Sequence, residues 1–279
     1  MKVGLVLEGG AMRGMYTAGI LDAFLDNDID VDALVGVSAG ALFGVNYVSK
    51  QRGRAIRYNK RFNSDKNYMG LRPLFREGNI VSTEYAYHKV PKELDKFDDE
   101  AYKKSNISFY AVVTNMENGK AEYIKVKSVF EQMDTLRASG SMPFVSMPVI
   151  IGDNQYLDGA VADSIPFEFM RKLGCDKVIV VLTRNLGYIK APLPKVLIRL
   201  WYGKKTAFSK RLAKRHLVYN RSIEKLQELE AKGEVFVFRP SRPMKIGKIE
   251  KNPKRLQKVY ELGLLDGREQ MNKLKEYLK

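Results

Sequence analysis

Ser38 lies in Gly36-Val37-Ser38-Ala39-Gly40, a Gly-x-Ser-x-Gly run that follows an apolar stretch and opens an alanine-rich one. That setting suits a nucleophile elbow, a tight strand-to-helix turn that lifts the serine hydroxyl clear of the backbone. Peptide dipoles at a helix N-terminus favour developing negative charge, which suits a nucleophile placed there. The same five residues also suit a structural turn with Ser38 as the helix cap. A second turn, Glu8-Gly9-Gly10-Ala11-Met12-Arg13-Gly14, again stands between an apolar strand-like run and a helical one. Its small residues leave backbone N–H groups free to converge on an anion. Beside Ser38 those groups form an oxyanion hole for a tetrahedral acyl intermediate. Arg13 then braces the loop and need not touch substrate. A dinucleotide fingerprint fits less well, because Ala11 replaces its middle glycine and the acidic partner further on is at best Asp30 or Asp32.

A serine nucleophile needs a proton acceptor, and the chain has two histidines, His88 and His216. The first stands in a polar stretch and the second inside a basic helical one, neither near a turn at a strand end. A carboxylate acting directly is the remaining option. Asp158, in Tyr156-Leu157-Asp158-Gly159-Ala160-Val161, follows a short apolar run, and Gly159 lets the chain turn sharply after it. A free aspartate, with a pKa of about 3.9, is a weak base for a hydroxyl. Burial raises that value, and the oxyanion hole must then supply much of the rate. Asp-Gly is also a good turn pair with no chemistry attached. No cluster has metal-ligand spacing, and no metal or other cofactor is expected.

The elements that must position these groups are legible as alternating patterns. Lys2 to Leu7 reads as a strand, Met15 to Leu25 as a helix, Val31 to Val37 as a strand and Ala39 to Ser49 as a helix. Such alternation predicts a mainly parallel sheet with helices on its faces. Ile107 to Thr114, Ala121 to Val126 and Lys177 to Thr183 read as further strands. Residues 50 to 105 are polar, basic and aromatic, with weak helical pattern, and predict an insertion over the sheet. Thr206 to Lys232 reads as a long basic helix, Glu234 to Arg239 as a late strand and Pro253 to Leu278 as a closing helix. Without repeats or a low-complexity linker, residues 1–279 are expected to form a single domain. Its motifs lie within 1–183, and a basic helical part spans 184–279.

With 45 % hydrophobic and 29 % charged residues among 279, the composition is globular, and a chain of this length buries roughly three quarters of its unfolded surface. The lone cysteine, Cys175, precedes an apolar run and predicts a buried, inert thiol. No export signal and no apolar run of membrane-spanning length is visible, so a cytoplasmic protein is expected. The net charge of +16 is unevenly spread, with no acidic residue between Asp176 and Glu224. Lys190, Lys195, Arg199, Lys204, Lys205, Lys210 and Arg211 fall in that block, with Trp201 among them. It predicts attraction to polyanions, above all an anionic membrane surface met peripherally. The run Val196 to Tyr202 fits either an interfacial segment or one packed on the core. Nucleic acid is disfavoured, since no recognition motif accompanies the charge.

The order of these motifs resembles the patatin-like phospholipase family: a Gly-Gly-x-x-Arg-Gly turn, then Gly-x-Ser-x-Gly, then Asp-Gly-Ala far downstream. Ala138-Ser139-Gly140-Ser141-Met142-Pro143, with Pro148, also resembles that family's segment leading into the aspartate strand. The resemblance covers roughly residues 1 to 183. It implies a three-layer α/β sandwich with a mainly parallel central sheet flanked by helices. It further implies a Ser-Asp dyad of Ser38 and Asp158, with Gly159 and Ala160 completing the base motif. The oxyanion-hole role falls on Gly9, Gly10, Ala11, Met12, Arg13 and Gly14, and the substrate is a lipid ester. A general esterase, a thioesterase, an acyltransferase and a catalytically idle membrane-binding protein are the alternatives on the same fold. Many members carry a third glycine where this chain has Ala11. The hole is expected to keep its shape with a negative φ at that alanine and to distort otherwise.

Overall fold

The computed structural model describes residues 1–204 and 206–279; Lys205, one of the basic residues offered for membrane contact, lies outside the described residues. Strand β1 (Val3–Leu7), helix α1 (Met15–Leu25), strand β2 (Ala33–Val37) and helix α2 (Ala39–Val48) give the expected double alternation. The chain then runs through α3 (Arg54–Phe62), α4 (Leu71–Glu77), a π-helical segment Thr83–Leu94 and α5 (Asp99–Lys104). Strands β3 (Ser108–Asn115) and β4 (Ala121–Lys125) follow, then α6 (Met133–Gly140), β5 (Val149–Ile151) and β6 (Asn154–Asp158). Helix α7 (Phe167–Lys172), strand β7 (Lys177–Val181) and helices α8 (Lys195–Tyr202) and α9 (Ala207–Ala231) come next. Strand β8 (Val235–Phe238) and helices α10 (Pro253–Glu269) and α11 (Met271–Tyr277) close the chain.

The sheet runs β5-β6-β3-β2-β1-β7-β8, with β4 also paired to β3. Pairs β1–β2, β1–β7, β2–β3 and β7–β8 are parallel, and the pairings of β4, β5 and β6 are antiparallel. Every residue of β1 and β2 is buried, as a parallel strand covered on both faces requires. Side-chain alternation divides the core into two layers. Leu5, Leu7 and Leu34 face a layer holding α1, α2 and α10, while Val6, Val35 and Val37 face one holding α7 and α9. The molecule is therefore a three-layer α/β sandwich.

Three expectations are corrected. Residues 50 to 105 are more helical than their polarity suggested. In α3 the buried Ala55, Ile56, Tyr58, Asn59 and Phe62 share one side, a stripe masked in the sequence by the arginines and lysines between them. The closing helix is broken at Gln270 into α10 and α11. Cys175 is half-buried, not enclosed.

The last third is packed into the fold through α9 on one face of the sheet and at two further places. β8 extends the sheet beside β7, and α10 lies across α1 at a point where both helices carry glycine. A methyl on Gly19 would meet the Tyr260 carbonyl oxygen at 2.2 Å, and one on Gly263 would meet that of Tyr16 at 2.0 Å. The crossing has no room for a side chain, and the obstacle is backbone, which cannot swing away. Gly263→Ala is therefore expected to lower stability by about 2 kcal/mol or more, read as a reduced midpoint in urea unfolding. An unchanged midpoint would show that the two helices are not held this closely.

Candidate active site

Strand β3 brings two distant residues together by its register alone. Val112 pairs with Val37 on β2, and the next residue, Val113, pairs with Asp158 at the end of β6. The residue after Val37 is Ser38, so serine and aspartate leave the sheet side by side. Ser38 Oγ donates to Asp158 Oδ2 over 2.8 Å, and the pair is buried.

The serine turn is strained and tightly enclosed. Ser38 has φ 54° and ψ −122°, a left-handed backbone rarely adopted by a non-glycine residue and one held only by its surroundings. A methyl on Gly36 would strike the Ala41 backbone at 2.5 Å, and one on Gly40 would strike the Leu7 carbonyl oxygen at 2.5 Å. Both glycines of the Gly-x-Ser-x-Gly run are therefore demanded by close packing of the turn on β1 and on itself. The end of α6 braces both partners. Ser38 N–H donates to Ser139 Oγ at 2.9 Å, and Asp158 N–H donates to the Ser141 carbonyl at 2.9 Å. The sequence placed this segment before the aspartate strand but did not reveal that it grips the serine as well.

Asp158 Oδ1 accepts from the Ala160 N–H at 2.8 Å, and its carbonyl accepts from Thr114 Oγ1 at 2.9 Å. Burial pushes its carboxyl above the usual aspartate range; Arg215, the Ala160 N–H, the Ser38 hydroxyl and Lys190 each pull back without cancelling the rise. A carboxylate so placed is a stronger base than aspartate in water.

The glycine turn lies against the same site. Its Arg13 N–H donates to the Gly10 carbonyl at 3.1 Å and its Met12 N–H to the Lys248 carbonyl at 3.4 Å. Gly14 stands against Phe43 and Ala39, which a methyl there would meet at 2.8 and 2.9 Å. Among the described residues, the N–H groups of Gly9, Gly10 and Ala11 have no acceptor, and all three residues line a cavity shared with Ser38 and Asp158. The turn is anchored from below by Glu8, whose carboxylate accepts from Thr183 N–H at 2.6 Å and from Tyr219 Oη at 2.9 Å. Nothing in the sequence linked Glu8 to a tyrosine on α9.

Ala11 has φ 48°, the left-handed alternative under which distortion of the hole was expected. The turn demands a backbone that glycine would supply more cheaply, yet the Ala11 N–H stays without an acceptor among the described residues and Ala11 lines the cavity. Two expectations about this neighbourhood are overturned. Arg13 does not brace the loop: its side chain lines the cavity, and its buried Nε has no partner among the described residues. His216 is not remote, since α9 passes over the site and sets it in the cavity wall with Nδ1 buried and, among the described residues, unpartnered. It makes no hydrogen bond to Ser38 or Asp158. The helical phase of α9, rather than any motif, decides which of its basic residues turn inward.

Ser38 stands where two cavities meet, and both are lined by Ala11, Ser38, Met142, Lys248 and Ile249. The first is apolar, walled by residues such as Leu42, Phe43, Val90, Met133 and Leu136. The second, of about 480 Å³, carries Asp158 and most of the polar groups. A nucleophile, a base and free N–H donors around one point can perform acyl transfer. A left-handed alanine costs about 1–2 kcal/mol; allowing for the greater freedom of unfolded glycine, Ala11→Gly is expected to raise stability by about 0.5–1 kcal/mol in urea unfolding. A loss of stability would mean that Ala11 is unstrained.

Two family models match the chain. One, patatin-like phospholipase, covers residues 5–171, and a domain of unknown function (DUF6363) covers residues 206–279. The chain is 25 % identical over 273 residues to the uncharacterized protein YjjU of Escherichia coli, covering 96 % of this chain and 76 % of that one. It is 27 % identical over 202 residues to lysophospholipase nte1 of Aspergillus niger, across 70 % of this chain and 12 % of the fungal protein. Among solved structures, VipD from Legionella pneumophila aligns with 98 % of this chain and 67 % of its own, with a TM-score of 0.44 and 10 % identity. The order of the motifs, the layered sheet and a family match over more than half of its length lead to one conclusion: the chain belongs to the patatin-like phospholipase family.

Proposed function

We propose that this protein is a serine lipid-acyl hydrolase in which Ser38 is the nucleophile and Asp158 the only protein base. The observation that carries the reading is the buried 2.8 Å hydrogen bond from the Ser38 hydroxyl to the Asp158 carboxylate. Asp158 takes the hydroxyl proton as Ser38 Oγ bonds to the carbonyl carbon of a lipid ester. The negative oxygen so formed lies within the free N–H groups of Gly9, Gly10 and Ala11. The C–O ester bond then breaks, and the proton on Asp158 passes to the departing alcohol. Water enters, gives its proton to Asp158 and attacks the acyl-serine; the fatty acid leaves and Oγ regains its hydrogen. The apolar cavity beside Ser38 suits the acyl chain. Esterase, thioesterase and acyltransferase activities share the acyl-enzyme and differ in the group that leaves or accepts. Residues 1–279 act as one catalytic unit in this reading, since Arg215, His216 and Lys248 wall the site.

The family and the relative named lysophospholipase support a lipid substrate. The surface supports delivery from an anionic bilayer. No helix among the described residues is long and apolar enough to cross a membrane. Helix α8 buries Ile198 and turns Val196, Leu200 and Trp201 outward, with Leu186 and Ile189 exposed nearby. Of the basic residues offered for this contact, Lys195, Arg199, Lys204 and Lys210 are exposed. Lys190 and Arg211 are not available: Lys190 lines the cavity over the Tyr219 ring, and Arg211 donates to the Ala162 carbonyl.

Ser38→Ala should abolish both ester hydrolysis and labelling by a fluorophosphonate; labelling that persists would remove Ser38 from the scheme. Asp158→Asn should lower kcat by about 10³-fold or more, the scale of losing a general base, without loss of thermal stability, because a buried carboxylate is relieved. The wild-type rate should rise with pH through an inflection above the ordinary aspartate value of about 3.9, since the base works only when ionised and burial raises its pKa. Leu200→Glu combined with Trp201→Ala should release the protein from phosphatidylglycerol vesicles in a sedimentation assay. Equal binding of wild type to neutral and anionic vesicles would defeat the electrostatic part.

A further inference from the structure

The polar cavity beside Ser38 carries a cluster of cations that the hydrolytic scheme leaves unused. Arg13, Arg184, Lys190, Arg215 and Lys248 all line it, against two carboxylates, Glu8 and Asp158. Glu8 is already held by Thr183 and Tyr219, and Asp158 by Ser38 and Ala160. Among the described residues none of the five cations forms an ion pair with a carboxylate. Arg184 lies over the Tyr188 ring and Lys190 over the Tyr219 ring, each 4.0 Å from the centroid, so aromatic faces hold them where a counter-ion would. Arg215 spends one N–H on the Ala160 carbonyl at 2.6 Å, and the Nε of Arg13 has no acceptor.

Packing like charges together is unfavourable unless something negative joins them. Lys190 shows the cost: burial first, then Arg215, Arg184 and Arg13, draw its ammonium down to about 7 despite the attraction of Glu8. The same neighbours act on Lys248, and Arg184 acts on Arg13 in the same sense. A surplus of positive charge around a few hundred cubic ångströms, opening onto the nucleophile, fits an anion that arrives with the substrate. The apolar cavity on the other side of Ser38 takes the acyl chain, so the charged one takes what the ester bond releases.

We infer that the cationic cavity is a phosphate subsite, and that the preferred substrates are acyl esters whose leaving alcohol carries phosphate and no ammonium group, such as phosphatidylglycerol, phosphatidic acid and their lyso forms. This rests on the hydrolase reading above and deepens it. A choline or ethanolamine headgroup brings its own cation into a chamber that already repels one, and so loses much of what its phosphate gains.

The test uses dihexanoyl lipids below their critical micelle concentration, so that no interface forms and bilayer adsorption cannot imitate headgroup recognition. Wild type should show a kcat/KM for dihexanoyl-phosphatidylglycerol about tenfold or more above that for the phosphatidylcholine, the discrimination one charge-assisted contact supplies. Arg184→Gln and Lys190→Gln, both at partly exposed positions, should each shrink that ratio toward one, and Arg184→Lys should restore part of it. Equal wild-type kcat/KM for the two lipids, or a ratio that both glutamine variants leave intact, overturns the proposal while the hydrolase reading stands. Wild type that cleaves neither lipid nor p-nitrophenyl hexanoate overturns the hydrolase reading itself. Inhibition of p-nitrophenyl hexanoate cleavage by inorganic phosphate, with no preference between the lipids, means the cavity holds a free anion and also overturns the assignment.

Discussion

A hydroxyl and a carboxylate hydrogen-bonded to each other and largely withdrawn from bulk water are the constraint around which this molecule is built. In water an aspartate is too weak a base, and a serine too reluctant an acid, for their contact to matter. Enclosure changes the balance by penalising the bare carboxylate, and proximity lets the serine proton satisfy it. Two parallel strands, β2 and β3, and one antiparallel partner, β6, bring the two together, through consecutive positions of β3. A slip of one residue in either pairing would turn one side chain to the opposite face of the sheet. The register is secured by valines and leucines packed in layers on both faces, so the hydrophobic core is what aligns the chemistry.

Strain is concentrated at the same spot. Ser38 and Ala11 both hold positive φ, and each stands in a turn joining a β-strand to a helix. Such conformations persist only where surrounding contacts over-determine them. Here those contacts are the Gly36 and Gly40 approaches, the Ser139 hydroxyl and the Glu8 anchor. The protein appoints rigid neighbours to hold a backbone that neither residue would choose alone.

Much of this was legible in the sequence, and the rest was not, for definite reasons. Parallel strands announce themselves through short apolar runs, and the two glycine turns through residue types that few other structures demand. The serine, the aspartate and the Gly9 to Gly14 turn therefore stood out, but not which amides of that turn are free: Met12 and Arg13, counted among the donors, spend their N–H groups on the Lys248 and Gly10 carbonyls. Ala11 was legible as a departure, yet its φ depended on the geometry of the turn, which composition does not encode. His216, Arg215 and Lys190 were misread or overlooked because a long basic helix and loop look uniformly solvated in one dimension, and Arg13 was read as a brace because the cavity beside its turn is formed by residues far along the chain. Only the rotation of α9 against the sheet sorts its cations into inward and outward sets. The helices of residues 50 to 105 were obscured similarly, by charges that flank a narrow buried stripe.

The tie between Glu8 and Tyr219 has a consequence for how such proteins diversify. The strands and turns that carry the dyad fall within the stretch matched by the family model, residues 5–171, whereas Arg184, Lys190, Arg215 and Lys248 lie beyond it. The Tyr219 hydroxyl on α9 joins Thr183 in hooking the later region onto the first glycine turn, both through Glu8. On the proposed reading, reaction and selectivity are in this way written largely in separate stretches of polypeptide, with Arg13 the one cation of the cavity contributed by the first. Inheritance can revise the second, exchanging one chamber wall for another, as long as the replacement still offers a hydrogen to that buried glutamate.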